Sequence, residues 1–546
     1  METSQPSAAA ADYPPWVIFA EQKRFHHKAG LCPSPADTRT VAHARTSTGH
    51  FVRASFRFAA PPAVSRLDLD LDQGLPDGVA ISPTVVVAHG DSVLICISLN
   101  MKYIDEINTT DFFVYTASAG ARSPSLSLLP PCYMDWGSSG RRYQKKMSRK
   151  GTGILRRDDG ELVVTTDLKI EIIPCDDDGG AKRVEGELRV LRSSDSQWKA
   201  ERLPVRHDVN RGEVISYCWW KVWDTDWAIP VGDRFLYWVD LHHGIVFSDM
   251  SEESPELTFV PLPVGVEPIL RQRTDWDRPA SSRSVCATDG GETVKFVHVS
   301  PRCCCRGPGT TKCELSRHAF TITTWTLRKM TQGGDMGWEM DAVVDCGDLW
   351  ALDAYRHLPR LPMGFPVVSI DDPDVVCFLL SEHKHLDGDG DKTTWVVMVD
   401  TRTKALLRSA ILYSKDEYYC GEDFLPSQLS RNFSYFNTSH GAGSSKHSVT
   451  PARRCRENIV DASPAANRPP SPDKEILAAL QEIPGLTRDE MLRAYGVLAC
   501  DDRRRYCSLV ALPMNMRKDY CSMLVDMGRN KCSSCSARLA AATRTL

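Results

Sequence analysis

No stretch of the 546 residues approaches the ~20 consecutive apolar residues of a membrane helix. Met1 to Ala11 is rich in Ser and Ala, without a basic start or an apolar core, so it does not read as a secretory signal. The last four residues, Thr543-Arg544-Thr545-Leu546, match no lipidation or peroxisomal signal. Neither sign of charge dominates. Lys and Arg number 66 against 70 Asp and Glu, a net charge of −4, so no whole-chain basic field draws nucleic acid or an anionic membrane. Catalytic signatures are missing too: there is no Gly-x-Ser-x-Gly elbow, no His-Glu-x-x-His, no Walker loop and no dinucleotide fingerprint. No membrane association, cofactor or catalytic residue is expected on these grounds. A propeller enzyme gathers its groups from separate blades, so missing motifs weigh less there.

Cysteine is present but unpatterned. The 19 Cys are odd in number and show no framework spacing, which predicts mostly free thiols in a reducing compartment. The expected location is therefore intracellular, cytoplasmic and/or nuclear. Asn-x-Ser/Thr matches at Asn108, Asn432 and Asn437 then occur by chance.

Short strands broken by turn residues dominate up to about residue 415. They fall into groups. Thr84–Val87, Ser92–Leu99 and Phe112–Tyr115 form the first, and Gly153–Leu155, Leu162–Thr166 and Leu188–Leu191 the second. Ala228–Val231, Arg234–Asp240 and Gly244–Asp249 form the third, and Val285–Ala287, Thr293–Val299 and Thr321–Leu327 the fourth. Pro366–Ile370, Val375–Leu380 and Trp395–Asp400 form the fifth, while Phe51–Phe58 with Leu67–Leu71 supplies a sixth or a closing strand. The spacing suits propeller blades, and no blade buries both faces alone. The fold expected is mainly β: a propeller-like body of five or six four-stranded blade groups, with a pair of β-sandwiches as the rival.

Boundaries follow composition. Residues 1–14 are expected to be disordered, 15–430 to form the β body, and 431–472, rich in Ser, Gly, Pro and Arg, to be a flexible linker. Helical periodicity returns over 473–527. Ile476, Leu477 and Leu480 share a face, Thr487-Arg488-Asp489-Glu490 has the capping-box form, and Met491, Leu492, Tyr495 and Leu498 follow at helical spacing. A three-helix tail is expected there, with a disordered end at 528–546.

Trp16-Val17-Ile18-Phe19, Ala44 to His50, Ala60 to Ser65, Phe112 to Tyr115 and, most specifically, Tyr237 to Asp249 followed by Val260-Pro261-Leu262-Pro263 form a recognisable set. These stretches resemble a grass (monocot) protein family catalogued as domain of unknown function 1618. The best match covers about 216–350. The tail around Ile483 to Leu486 and Ala511 to Lys518 resembles a helical tail of related plant proteins. The resemblance implies a propeller like those appended to F-box proteins and transfers no activity. The cysteine-rich insert near residue 303 does not follow the family pattern.

Four features are candidates for chemistry. Trp223, Asp224, Asp226 and Trp227, together with His242 and His243, form an expected interaction surface; core packing and a plain hairpin with Asp240 or Asp249 bonded to turn backbone are the bland alternatives. Cys303, Cys305, Cys313 and His318 are weak zinc candidates, because adjacent cysteines do not suit one ion. Arg141, Arg142, Lys145, Lys146, Arg149 and Lys150 form a basic run suited to nucleic acid or to a solvated loop. Asp387 to Asp391 reads as a turn, since Lys392 and Met398 stand where a calcium loop needs Gly and Glu. The leading functional expectation is a non-catalytic protein-interaction scaffold or adaptor. A nucleic-acid-associated nuclear protein and a propeller hydrolase or sugar-binding protein are the alternatives.

Overall fold

A computed structural model describes residues 13–437 apart from 23–24, 27–36, 72–78, 102–108, 118–122, 137–140, 148, 167, 175–181, 207–222, 253–254, 265–278, 304–317, 330–335, 383–392 and 414–419, and beyond them residues 480–481, 483–484, 487, 491 and 517–518. The chain is mainly β. Two compact units divide it: Met1–Val299 with Thr321–Phe436, and Ser300–Phe320 with Asn437–Leu546.

The strands arise where apolar and β-branched residues alternate between turns. First come β1 (Val17–Gln22), β2 (Phe25–His26), β3 (Ala42–Arg45), β4 (Phe51–Arg57) and β5 (Val64–Leu71). Then come β6 (Val79–His89), β7 (Ser92–Met101), β8 (Thr109–Thr116) and β9 (Ser125–Leu128), with a separate pair, β10 (Tyr133–Trp136) and β11 (Arg141–Gln144). The next are β12 (Gly153–Arg156), β13 (Leu162–Thr165), β14 (Lys169–Pro174), β15 (Lys182–Arg192) and β16 (Lys199–Arg206). After them run β17 (Trp227–Val231), β18 (Phe235–Asp240), β19 (Gly244–Asp249) and β20 (Leu257–Pro261). Last are β21 (Arg283–Thr288), β22 (Thr293–Pro301), β23 (Phe320–Lys329), β24 (Met336–Asp345), the short helix α1 (Cys346–Trp350), β25 (Gly364–Val368), β26 (Val375–Ser381), β27 (Thr394–Asp400), β28 (Ala405–Tyr413) and β29 (Cys420–Ser427).

Each of the five expected groups folds as an up-and-down meander: β6–β9, β12-β13-β15-β16, β17–β20, β21–β24 and β25–β28. The second and third join through a parallel contact of β16 with β20, Val205 opposite Leu257. The remaining strands form a sheet in the order β29-β1-β5-β4-β3. Here β1 pairs antiparallel with β29, Phe19 opposite Leu425, and so joins chain ends far apart in sequence.

Burial falls from the inner strands to the outer ones. In β18 five of six residues are buried, so both faces are covered, whereas β16 alternates exposed and buried positions toward its end. The exposed apolar residues Leu128, Met340, Leu407 and Ile411 sit on the fourth strands β9, β24 and β28. The apolar cores lie between consecutive groups. Ile154 and Val164 pack on Val87 and Leu94; Leu155 and Val163 pack with Leu236 and Trp238; Val239 and Ile245 pack with Val285 and Phe296. Phe56 and Phe19 pack on Ile95 and Tyr115, and Ile18 packs with Val367 and Leu379. Each fully buried Leu, Ile or Phe adds about 1.5–3 kcal/mol of transfer free energy, so these interlayers hold the groups together.

Both ends of the body extend further than composition suggests. Tyr13, expected in a disordered segment, donates its hydroxyl hydrogen bond to Asp37 and meets the Phe58 and Phe433 rings edge-on. The segment Leu429–Asn437, which runs from the expected body across the expected linker start at 431, is a 3₁₀ helix whose Leu429 and Phe433 are buried in the core. Two apolar side chains on one face were enough to dock it.

In the second unit Arg302 N–H donates to the Ala319 carbonyl, closing the ends of the cysteine-rich insert. Leu480 and Ile483 are buried, and Met491 N–H donates to the Thr487 carbonyl. The rest of the expected tail lies outside the described residues. No described helix is long and apolar enough to cross a membrane.

Candidate functional site

The first strands of the meanders touch one another in cyclic order. β6 contacts β12, β12 contacts β17, β17 contacts β21, β21 contacts β25, β25 contacts β29, and β29 contacts β6. They surround a central cleft of about 1130 Å³ that is part open to solvent. Its walls are mostly apolar, built from residues such as Val86, Ile229, Val285, Phe365, Val367 and Phe424. Among the described residues that line it, Arg149, Arg283, His89 and Gln428 carry the larger polar groups, and none is an aspartate or glutamate.

Each of these polar groups is set by local structure. Arg283 opens β21, is 2% exposed, and donates from Nη1 to the Leu241 carbonyl at 2.9 Å. Arg149 is buried and donates from Nε to the Val85 carbonyl of β6 at 2.7 Å. His89 ends β6, and its Nδ1 accepts the Arg156 N–H at 2.9 Å. Burial pushes its pKa down to about 4, against the pull of Asp91. At neutral pH the ring is therefore neutral with its proton on Nε2. Gln428 follows β29, and its Nε2 is buried with no hydrogen-bond partner among the described residues.

Through its bond to Leu241, the cleft-lining Arg283 meets the β18–β19 turn. Asp240 is 1% exposed and accepts four hydrogen bonds. Its Oδ1 takes the N–H groups of His242 at 2.8 Å and His243 at 3.1 Å. Its Oδ2 takes the Asp224 N–H at 3.1 Å and Nδ1 of His243 at 2.8 Å. Gly244 follows because a Cβ there would stand 2.5 Å from the Val260 carbonyl. Beside it, Asp226 accepts the Leu241 N–H at 2.9 Å and faces Lys150 Nζ at 3.8 Å. Burial raises the Asp226 pKa to about 6, although the Leu241 N–H and Lys150 oppose it and Asp240 and Asp224 add to it.

The six residues of the expected interaction surface thus come together around this turn but do different things. Trp227 lines the cleft and packs between two groups. Trp223 bonds Thr225 Oγ1 through Nε1 at 3.0 Å and meets Phe259 edge-on. Asp224 is exposed, His242 half-buried and His243 buried. Asp249 likewise accepts the Ser251 N–H at 3.0 Å. Both carboxylates act on turn backbone.

The basic run is divided. Arg142 is exposed with its guanidinium 5.4 Å from the Tyr133 ring centroid, and Lys146 is exposed. Lys145 is half-buried, Lys150 faces Asp226, and Arg149 is buried on β6; Arg141 opens β11. The solvated-loop expectation fails at Arg149 because its stem and head fill the space beside β6. The metal candidates are divided as well. Cys303 is buried and disulfide-bonded, which corrects the expectation of free thiols in this insert, and a disulfide sulfur is not a thiolate ligand. Cys305 and Cys313 lie outside the described residues, as do Trp219, Trp220 and Asp387 to Asp391, and His318 is half-buried in a turn. Cys96, Cys132, Cys286, Cys346 and Cys377 are buried and in no disulfide.

Arg283, His89 and Gln428 escaped sequence reasoning. The one local signal was an arginine opening the apolar run Ser284-Val285-Cys286-Ala287.

Residues 238–377 match the family described as protein of unknown function (DUF1618). That span includes most of the β18–β19 hairpin, Arg283, the group β21–β24, β25 and the start of β26. No curated protein matches the chain. Among solved structures, the WD40 domain of SCAP from fission yeast is similar over 68% of this chain and 73% of its own, at 10% identity and a TM-score of 0.26. A levansucrase mutant from B. megaterium is similar over 72% of this chain and 93% of its own, at 9% identity and a TM-score of 0.23.

Proposed function

We propose that the β body is a six-bladed propeller, closed by the pairing of β1 with β29, and that it serves as a non-catalytic protein-interaction scaffold. The observation that carries the reading is the cyclic contact of six first strands around one cleft. Apolar interlayers between groups, including one that joins the β25–β28 group to the sheet of β1 and β29, support it. Asp226, from the expected surface, and Asp240 of the neighbouring turn both hold turn backbone, which supports the scaffold half. A DUF1618 resemblance that extends beyond residues 238–377 to a grass family, an intracellular location and a helical tail belong to the same proposal.

An electron-density map of the full chain tests the fold: six blades are expected, and an open or seven-bladed ring overturns it. Affinity capture tests the role. The full chain should recover a reproducible protein partner, and Asp224→Lys, changing an exposed side chain beside the turn, should weaken the capture. No reproducible partner from a native extract would count against a scaffold. The nucleic-acid alternative predicts binding that weakens steeply with salt.

A further inference from the structure

The central cleft has a chemical bias that the scaffold reading does not use. Its walls are apolar, and the large polar side chains on them are donors. Arg149 and Arg283 are both buried and lack an acceptor atom, so each offers N–H groups alone. His89 is held by the Arg156 N–H with its own proton on Nε2, a third donor. Gln428 contributes an amide nitrogen that is buried without a partner among the described residues. A buried unmet polar group costs about 1–3 kcal/mol unless something occupies the site. A concave, mostly apolar wall carrying a few polar side chains is the usual form of a small-molecule site.

We propose that this cleft binds a small organic anion, with an acidic head group on an apolar body. The guanidiniums of Arg149 and Arg283 draw the anionic group, because charge-assisted hydrogen bonds in an apolar setting are the strong ones. The Gln428 amide donates to it or to a second acceptor. The apolar walls, Ile229, Val285, Phe365 and Phe424 among them, hold the body. The site rests on the ring of first strands and not on the scaffold role, so the two fail separately. A chain that binds the anion but captures no protein keeps this site and loses the scaffold.

Calorimetric titration of the full chain at pH 7 with 8-anilinonaphthalene-1-sulfonate, against the uncharged N-phenyl-1-naphthylamine, tests it. The sulfonate should bind one-to-one and about tenfold tighter than its neutral counterpart. Arg149→Met should weaken the sulfonate about tenfold and leave the neutral compound unchanged. Gln428→Leu should weaken the sulfonate about threefold without lowering the melting temperature, because the lost donor has no described partner. If Arg149→Met does not fold, Gln428→Leu decides alone. Equal affinity for the two compounds overturns the proposal, as does wild-type sulfonate binding by the folded variants.

Discussion

Two turns of this chain open on the same pair of residues, Val-Asp. Val239-Asp240-Leu241-His242-His243 joins β18 to β19, and Val399-Asp400-Thr401-Arg402-Thr403 joins β27 to β28. In both, the aspartate closes the strand and one oxygen accepts two backbone N–H groups. Asp240 takes those of His242 and His243, and Asp400 takes those of Arg402 and Thr403, each at 2.9 Å. The difference lies in the second oxygen. Oδ2 of Asp240 takes the Asp224 N–H and the His243 ring, and the residue is 1% exposed. Asp400 is part exposed, and burial alone would raise its pKa, yet hydrogen bonds from Thr403 and Arg402 and the Arg402 charge hold it below the usual carboxylate range. One motif therefore serves as a local turn in one place and as a buried hub in another. Neighbours supplied by the fold decide which.

The largest expected effect breaks the comparison at the hub. Asp240→Ala strands the His242, His243 and Asp224 N–H groups and the His243 ring. Removing one partner of a buried charged network costs about 3–5 kcal/mol. Asp240→Asn should recover little, because its amide nitrogen would face two donors in place of Oδ2. Urea unfolding of both variants checks this. A loss under 1 kcal/mol for Asp240→Ala would show that the buried hub is no more than the surface turn.

The next effect is a pH slope set beside the hub. Burial pushes His89 and His298, with Arg283 helping at His298, to about 4 from 6.5, and burial lifts Asp226 to about 6 from 3.8. Between about pH 4 and 6 the unfolded chain therefore binds two protons on these histidines that the folded chain does not. Stability from that source is present above pH 6.5 and is lost as pH falls. Asp226 runs the other way: the folded chain keeps its proton, and stability is lost as pH rises through about 6. Two protons against one leave stability rising with pH by about 1.4 kcal/mol per unit from these three groups. Asp226→Asn removes the opposing proton and should roughly double that slope. An unchanged slope in denaturation between pH 4.5 and 6 would mean that Asp226 is ionised throughout.

How far the sequence carried these features follows from what each depends on. The five meanders were legible because alternation and turn residues are local, and their strands fall where expected. The β1–β29 closure was not, since it unites Phe19 with Leu425 across the whole body. The Asp240 turn was legible from its own spacing. The hub was not, because Oδ2 depends on Asp224 arriving from outside the hairpin. Arg149 looked like one more cation in a basic run, and only the β6 carbonyl of Val85 makes it an interior residue. Gln428 carried no signal at all, since a glutamine after a strand says nothing until five other strands surround it. Phe433, amid Ser and Asn, was hidden by the composition around it and tied down by Tyr13 and Phe58.

The smallest expected effect sharpens the comparison from the other side. Asp400→Ala removes two backbone hydrogen bonds and that of the Thr403 hydroxyl from a part-exposed turn, where water can replace them, and should cost about 1 kcal/mol. Asp400→Asn should cost almost nothing. Both backbone N–H groups go to the same oxygen, which an asparagine retains, and the amide nitrogen can donate to the rotatable Thr403 hydroxyl or to water. The pair of asparagine variants is therefore the cleanest discriminator of the two turns, because it changes one atom in each. Melting temperatures should fall clearly for Asp240→Asn and hardly for Asp400→Asn. Equal falls would mean that the second oxygen of Asp240 does no more than that of Asp400, and that burial alone does not turn this motif into a hub.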